Sequence, residues 1–330
     1  MKTLEEANKV IVAIGGHSIS RGDDILSLDA INDTVEVIMD VCRDKKLAIV
    51  HGNGQQLGEL EQKYLRALNR GQILDMPIPN ELILEIQQSI GILIHGAILN
   101  YLFHQKESGR PIVLGRSALV HFTETVVDND DPSFFYPDMG IGKWVDGNVR
   151  LVLENIPFIE HPIDKGKYKE AVASPEPIEV REIDNIREMV DSGFITICGG
   201  GIPLIIENGE VFNICCKAVV NKDSTARLIA DGVNADVLAI ITNVPGFDAG
   251  YNTDNPRFQN FMNPEVANWW IRKIGEDGSV SMLSKLKAAR DFALKNPSGF
   301  SIITDLEGFK KASEGDFSCS TVVSQTPMDV

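Results

Sequence analysis

Basic residues are in short supply in this chain: 31 Lys and Arg stand against 47 Asp and Glu, a formal net charge of −16. That balance opposes sequence-independent attachment to nucleic acid, which relies on many cationic contacts to phosphate. An anionic small ligand would need a few lysines placed to overcome the background locally. Cysteine is sparse too. Five cysteines, an odd number with no C-x-x-C spacing, argue against a disulfide framework and a structural zinc, and the adjacent Cys215-Cys216 read as packed strand residues. The six histidines are scattered without H-E-x-x-H or similar spacing, so no protein metal site is expected, and His95 and His104 read as helix or core residues. No uninterrupted apolar run approaches the ~18 residues of a membrane span. Met1-Lys2-Thr3-Leu4-Glu5-Glu6 lacks the apolar core of a secretory signal, so a cytoplasmic chain without membrane attachment is expected. Internal repeats and low-complexity segments are missing as well.

What is present is a 43% apolar chain of 330 residues, long enough for one large α/β domain or for two structural parts. Its organising stretch is Leu47 to Gly58, where the apolar run Leu47-Ala48-Ile49-Val50 breaks into His51-Gly52-Asn53-Gly54 and a helix-compatible segment follows from Leu57 to Arg70. Such a junction aims unpaired backbone N–H groups and the positive end of a helix dipole at one point, which suits an anion. Taken singly it is an ordinary strand-to-helix turn. Two more strands end the same way: Val10–Ile14 runs into Gly15-Gly16-His17, and Phe194–Ile197 into Cys198-Gly199-Gly200-Gly201. In an open α/β sheet ligands bind outside the carboxyl ends of the strands, so three glycine tips can converge on one phosphate-bearing ligand.

Strands and helices alternate along the rest of the chain. Helices are expected at Ala30–Asp44, in the segment Pro79–Gln105 with its stripe Ile83, Ile86, Ile90, Ile94 and Ile98, and at Ile183–Asp191, Ser224–Asp231 and Leu283–Leu294, the last bringing Lys285 to its first turn. Asp236–Thr242 is an apolar strand ending in Thr242-Asn243-Val244-Pro245-Gly246, polar residues where a nucleotide could reach them, and the strand Gly299–Thr304 completes the sheet. The alternation predicts a mostly parallel sheet covered on both faces. From Asp128 to about Lys169 the texture turns to Asp, Pro, Gly and aromatics, with short apolar alternations at Asn148–Leu153 and Pro157–Glu160. This reads as an inserted lid over 128–170 or as a long surface excursion; loops of this length are often functional.

Two glycine fingerprints fail here. Gly52-Asn53-Gly54 with Gly58 puts the third glycine one residue late for a dinucleotide site, and helix then prolines follow instead of a strand with an acidic residue, so hydride transfer is disfavoured. No G-x-x-x-x-G-K-S/T occurs, which excludes a P-loop.

The ordered set Gly15-Gly16, His51-Gly52-Asn53-Gly54, Asp128-Asn129-Asp130-Asp131-Pro132, Ser174-Pro175-Glu176-Pro177, Gly199-Gly200-Gly201-Ile202-Pro203, Asn221-Lys222-Asp223 and Ser281-Met282-Leu283-Ser284-Lys285 resembles carbamate kinases, members of the amino acid kinase fold family, over nearly the whole chain. The resemblance implies a single domain over 1–330: a three-layer αβα sandwich around a mostly parallel sheet, with a protruding subdomain. It also implies a homodimer and reversible phosphoryl transfer between ATP-Mg and carbamate or a similar small acid. In that pattern Lys222 and Lys285 lie along the transferred phosphate and Asp223 orients them. Gly15, Gly16, His17, Gly52, Asn53 and Gly54 face the phosphoryl group and acceptor. Gly199, Gly200, Gly201, Lys222, Thr242, Gly246, Met282 and Lys285 lie towards the nucleotide. Phosphoryl transfer asks a protein chiefly for positioning and charge neutralisation, and these residue types supply both.

The chain departs from the pattern on the substrate side. Gly-Gly-Asn becomes Gly15-Gly16-His17, and Asn-Pro-Thr-Lys-Pro-Ile-Gly becomes Tyr136-Pro137-Asp138-Met139-Gly140-Ile141-Gly142, so the family's lysine falls on Met139. Leu283-Ser284 replaces Gly-Pro, and the glycine tract is shortened with Cys198 at its edge. Loss of one charge-stabilising donor typically costs about 10²–10³ in turnover, roughly 2.7–4 kcal/mol. Lys143 lies about 6 Å from position 139 if the segment is helical and up to about 13 Å if it is extended. Three readings follow: a carbamate kinase, a relative acting on another small acid, and a nucleotide-binding protein without turnover. The pair Trp269-Trp270 reads as packed core or as part of an interface.

Overall fold

Every residue of the run Val10–Ile14 is buried, yet the run is shared between two cores: Val10, Val12 and Ile14 join one cluster, Ile11 and Ala13 the other. Leu47 and Ile49 divide from Ala48 and Val50 in the same way, as do Val237, Ala239 and Ile241 from Leu238 and Ile240. A strand with no polar face has to be covered on both sides.

A computed structural model describes residues 3–22, 24–70, 79–107, 117–147, 157–161, 164–207, 210–213, 218–250, 257–277 and 280–327. The apolar alternation expected at Asn148–Leu153 and the pair Cys215-Cys216 lie outside these residues. In chain order the elements are β1 (Lys9–Ile14), α1 (Leu28–Val41), β2 (Lys46–His51), α2 (Gly54–Asn69), α3 (Pro79–Glu107), β3 (Ala118–His121), β4 (Glu124–Val127), β5 (Met139–Asp146), β6 (Phe158–Glu160), β7 (Lys167–Val172), β8 (Pro177–Val180), α4 (Ile183–Asp191), β9 (Ile195–Gly199), β10 (Ile202–Glu207), β11 (Glu210–Asn213), α5 (Lys222–Gly232), β12 (Val237–Ile241), β13 (Phe261–Met262), α6 (Pro264–Asp277), α7 (Val280–Lys295), β14 (Phe300–Thr304), α8 (Leu306–Ser313) and β15 (Ser320–Val323).

The main sheet has the order β13-β15-β14-β12-β1-β2-β9-β3, and every neighbouring pair is parallel except β14–β15. α1, α3 and α8 cover one face through Ile31, Val35, Ile38, the α3 isoleucines and Phe309. α4, α5, α6 and α7 cover the other through Ile186, Ile229, Ile271, Leu286 and Phe292. The result is the expected αβα sandwich. α3 is long and apolar enough to cross a membrane by length and composition. Its Ile83, Ile86, Ile90, Ile94 and Ile98 are instead buried against the sheet, which identifies it as a core helix.

Three sequence expectations need correction. α2 starts at Gly54 rather than Leu57, with Leu57 N donating to the Asn53 carbonyl at 3.0 Å, so the second glycine turn leads directly into helix. α7 starts at Val280, because Met282 and Leu283 pack on the second core and draw another turn into the helix; Lys285 therefore sits in its second turn. The sheet does not end with β14: β15 adds antiparallel and β13 pairs beyond it, and a short run flanked by serines carried no periodic signal. The tryptophans divide, with Trp270 packed beside Phe247 at 5.3 Å between ring centres and Trp269 55% exposed.

Two small sheets flank the main one, a four-stranded sheet ordered β11-β10-β4-β8 and a three-stranded antiparallel sheet ordered β5-β7-β6. The latter is seated on α2 at a close backbone approach: a Cβ on Gly58 would lie 2.5 Å from the Gly142 Cα, and Gly142 has a φ of +70° that disfavours other residues. Asp131 knits the region together, accepting from Ser133 N at 2.8 Å and Glu176 N at 3.0 Å. Those bonds join the Asp128–Pro132 and Ser174–Pro177 motifs, which are far apart in sequence.

Candidate active site

Asn221 caps α5, its Oδ1 accepting from Asp223 N at 2.9 Å, and so sets Lys222 and Asp223 in the first helical turn, at the positive end of the dipole. Asp223 is 1% exposed and carries two ammoniums, Lys222 Nζ at 2.8 Å on one carboxylate oxygen and Lys285 Nζ at 3.3 Å on the other. Burial alone would push this carboxyl up, but the two lysines outweigh it and hold its pKa at about 2. Burial, and then the repulsion of Lys285 against the pull of Asp223, leaves Lys222 lowered. Lys285, 6% exposed, also donates to the Ser281 carbonyl at 3.2 Å and hydroxyl at 3.3 Å, one helical turn back. Three buried groups thus carry one net positive charge. Lys222 Nζ spends one N–H on Asp223 and has donors to spare beside the glycine loops, whereas the three of Lys285 face Asp223 and Ser281.

Those loops close around the Lys222 stem. A Cβ would come within 2.9 Å of its Cδ from Gly52, within 3.2 Å of its Cβ from Gly200 and within 3.9 Å of its Cε from Gly15. Thr225 ties the third loop to α5 by donating to the Gly200 carbonyl at 2.6 Å. Gly16 opens the short turn Gly16–Ser18, while Asn53, 3% exposed, and Gly54 begin α2. Gly15, Gly16, Gly52, Asn53, Gly54 and Gly200 therefore gather with Lys222, Asp223 and Lys285 at the carboxyl ends of β1, β2 and β9.

The other nominated glycines have packing reasons of their own. Side chains on Gly199, Gly201 and Gly246 would collide with Gln87, Thr125 and Thr321 respectively, and Gly201 has a φ of +113°. Met282 packs on the second core. Thr242 lies elsewhere on the rim, in an open depression of about 290 Å³ lined by His17, Ser18, Thr242, Asn243, Asp305, Leu306 and Glu307. This depression sits where β1, β12 and β14 end. The chain leaves β1 towards β2 on one side and reaches β12 on the other, and such reversal points are where open sheets bind ligands.

His17 connects the depression to the lysines. Partial burial, followed by the charges of Lys285, Lys169 and Lys222, lowers its pKa and keeps its ring neutral at pH 7. Lys169, on β7, was not legible as a site residue, since its Lys-Tyr-Lys setting reads as an ordinary strand edge. Asp305 was likewise missed; it had one local signal, the Asp-x-x-Gly start of α8, where it accepts from Gly308 N at 2.7 Å. His51 is fully buried, its pKa pulled by burial to about 4, with Nδ1 3.3 Å from the Gly52 carbonyl. It is a neutral brace beneath the second loop.

The substrate side departs as the sequence indicated. Met139 packs against the first core. Lys143 is exposed and pairs with Glu59 of α2 at 3.0 Å, and because its segment is a strand the longer separation from position 139 applies. Among the described residues no group of three or more His, Cys, Asp and Glu could hold a metal ion. Both oxygens of Asp223 are taken by lysines. Asp223 is thus committed to holding cationic side chains.

The model of the amino acid kinase family matches residues 8–299. The carbamate kinase of Pyrococcus horikoshii is 30% identical over 319 residues, 93% of this chain and 96% of its own length. Carbamate kinase 2 of Enterococcus faecalis is 29% identical over 325 residues, 96% and 98% of the two lengths. In the solved structure of Giardia lamblia carbamate kinase bound to citric acid the fold recurs with a TM-score of 0.79 at 24% identity, over 96% of this chain and 98% of that one.

Proposed function

Because this chain belongs to the amino acid kinase family, we propose that it transfers a phosphoryl group reversibly between ATP-Mg and carbamate. A phosphotransferase resembling carbamate kinase, using ATP and ADP, is what the family and the full-length relatives support. Carbamate as the acceptor is our reading. In the forward direction a carbamate oxygen attacks the γ-phosphorus, the bond from that phosphorus to the β–γ bridging oxygen breaks, and ADP leaves with the electron pair; no proton need move.

One observation carries the reading: Lys222 and Lys285 straddle a single buried carboxylate beside three glycine loops. Asp223 holds both ammoniums in place, so the remaining N–H groups of Lys222 and the positive charge of Lys285 are already positioned when charge spreads over the equatorial oxygens of the moving phosphoryl group. The backbone donors of Gly15, Gly16 and Gly54, the bare backbone of Gly52, whose N–H is spent on the Ile14 carbonyl, the side chain of Asn53, and neutral His17 receive the phosphoryl group and acceptor. Gly199 to Gly201, Thr242, Gly246 and Met282 stand on the nucleotide side, where the depression at Thr242 and Asn243 supports a nucleoside position. The segment 128–170 serves as the lid over the acceptor. A second reading, transfer to another small acid, is favoured by Met139, partly buried and packed against the first core, standing where the family pattern has lysine.

ATP formation from ADP-Mg and carbamoyl phosphate by the purified protein, beside Lys285→Ala, tests the proposal. Activity that collapses in the variant is expected. A folded, ADP-binding protein that makes no ATP would overturn carbamate as acceptor. A homodimer belongs to the same reading, supported by Ile92, Leu99 and Phe103, which expose one apolar stripe of α3. Sedimentation as a monomer at micromolar concentration would count against it.

A further inference from the structure

The three-stranded sheet β5-β7-β6 carries two lysines whose surroundings differ. Lys143 points away from the loops to Glu59. Lys169 lies on β7 opposite the irregularity in β5, where Ile141 pairs with Glu170 and Val145 with Tyr168, leaving Gly142, Lys143 and Trp144 against Lys169 alone. Its stem runs along Gly140, where a Cβ would meet the Lys169 Cδ at 3.4 Å, and its Nζ stands 4.8 Å from the centre of the Trp144 ring.

β7 is fastened to the floor of the site. Val172 enters the first core, Ala173 bridges to Ala218, and Val219 N donates to the Ala173 carbonyl at 2.8 Å. Val219 also touches Gly54 and leads, two residues on, to Asn221 and Lys222. β5 is seated on α2 at Gly58, about one helical turn beyond the glycine loop. The sheet that carries Lys169 is therefore anchored beside the loops at two points. Burial of Lys169 lowers its own pKa, and its charge is felt at His17 together with those of Lys285 and Lys222. Of the three ammoniums that act on His17, Lys222 and Lys285 share the Asp223 carboxylate, and Lys169 rests on an aromatic face.

We propose that Lys169 is the acceptor-side cation of this site, leaving the face of Trp144 to contact the anionic oxygens of a small-acid acceptor opposite Lys222 and Lys285. A cation–π contact is weak beside a charge-assisted hydrogen bond to an anion, so Trp144 stores the ammonium without trapping it. The assignment rests on the phosphotransferase reading above, and it explains how position 139 can be methionine.

The test compares Lys169→Ala, Lys169→Met, which keeps the stem on Trp144, and Lys143→Ala in the full chain. Histidine NMR titration, with His17 assigned by its loss in His17→Gln, gives a readout independent of turnover. Both Lys169 variants are expected to move the His17 titration up towards its ordinary value, and to lower kcat/KM for carbamoyl phosphate about 10²–10³-fold. ADP binding by calorimetry stays unchanged, Lys169→Arg keeps most of the activity, and Lys143→Ala does nothing. A His17 titration unmoved by both Lys169 variants, or an unchanged kcat/KM, overturns the proposal. If the unmodified protein makes no ATP from carbamoyl phosphate, carbamate fails as acceptor while this assignment is decided with inorganic phosphate as probe. A phosphate-induced shift of His17 that is lost in Lys169→Ala upholds it, and an equal shift in both proteins overturns it.

Discussion

The sandwich and its outlying three-stranded sheet hold their lysines by different physics. Lys222 and Lys285 are fixed by a shared buried carboxylate at 2.8 and 3.3 Å, within elements whose apolar faces are covered on both sides. Lys169 and Lys143 rest on weaker supports, an aromatic face at 4.8 Å and an exposed ion pair at 3.0 Å. Exposed ion pairs contribute about 0–1 kcal/mol and partly exposed cation–π contacts about 0.5–1 kcal/mol. Groups that neutralise charge in the transition state gain from being preorganised, whereas groups that admit a substrate gain from being able to move. In this molecule the first kind sits in the body and the second on the attached sheet.

Replacing Asp223 should break that contrast most severely. Asp223→Ala would leave two ammoniums buried against each other, and removing one partner of a buried ion network costs about 3–5 kcal/mol. Calorimetry should show a large fall in Tm together with loss of turnover. The same group predicts an acid limit. Its folded pKa of about 2 lies below an unfolded value of about 3.9, so its contribution, about 2–3 kcal/mol, is fully present above pH 4 and is lost as pH falls towards 2. A stability curve flat between pH 5 and 2 would refute the ion network.

Gly52→Ala should follow in size, and it separates positioning from stability. Its Cβ would press on the Lys222 Cδ at 2.9 Å, and a displacement of about 1 Å at a reacting group can cost about 10² in rate. Turnover should fall by that order with Tm nearly unchanged; full activity would mean that the Lys222 stem is free to give way. Trp144→Leu should produce the smallest effect. Removing the aromatic face frees Lys169 earlier, so KM for the acceptor should drop by up to about fivefold while kcat holds, as a contact made only before the acceptor binds requires. A rise in KM beyond tenfold would instead make Trp144 part of the acceptor pocket.

The three glycine-tipped strands could be read in advance because an apolar run that stops at glycine states both its structure and its end in a few neighbouring residues. α4 spans Ile183–Asp191 as its periodicity indicated. Lys222, Asp223 and Lys285 were named by resemblance, but nothing local says that Lys285 reaches a carboxylate 62 positions away that Lys222 also holds. β15 and the Asp131–Glu176 bond were illegible for the same reason: each depends on a partner remote in sequence. Gly199, Gly201 and Gly246 read as ligand contacts, and the structure adds a packing requirement at each that the sequence does not show.

By itself, then, the sequence determined the layered architecture, through strands apolar on every residue and helices apolar on one stripe. It also determined which loops would be bare backbone. Only the tertiary structure decided which cations meet there, because electrostatic neighbourhood depends on through-space distance rather than on chain order. It set Lys285 on Asp223, turned Lys143 out to Glu59, and brought Lys169, on a strand of the attached sheet, over the loops at the centre of the sandwich.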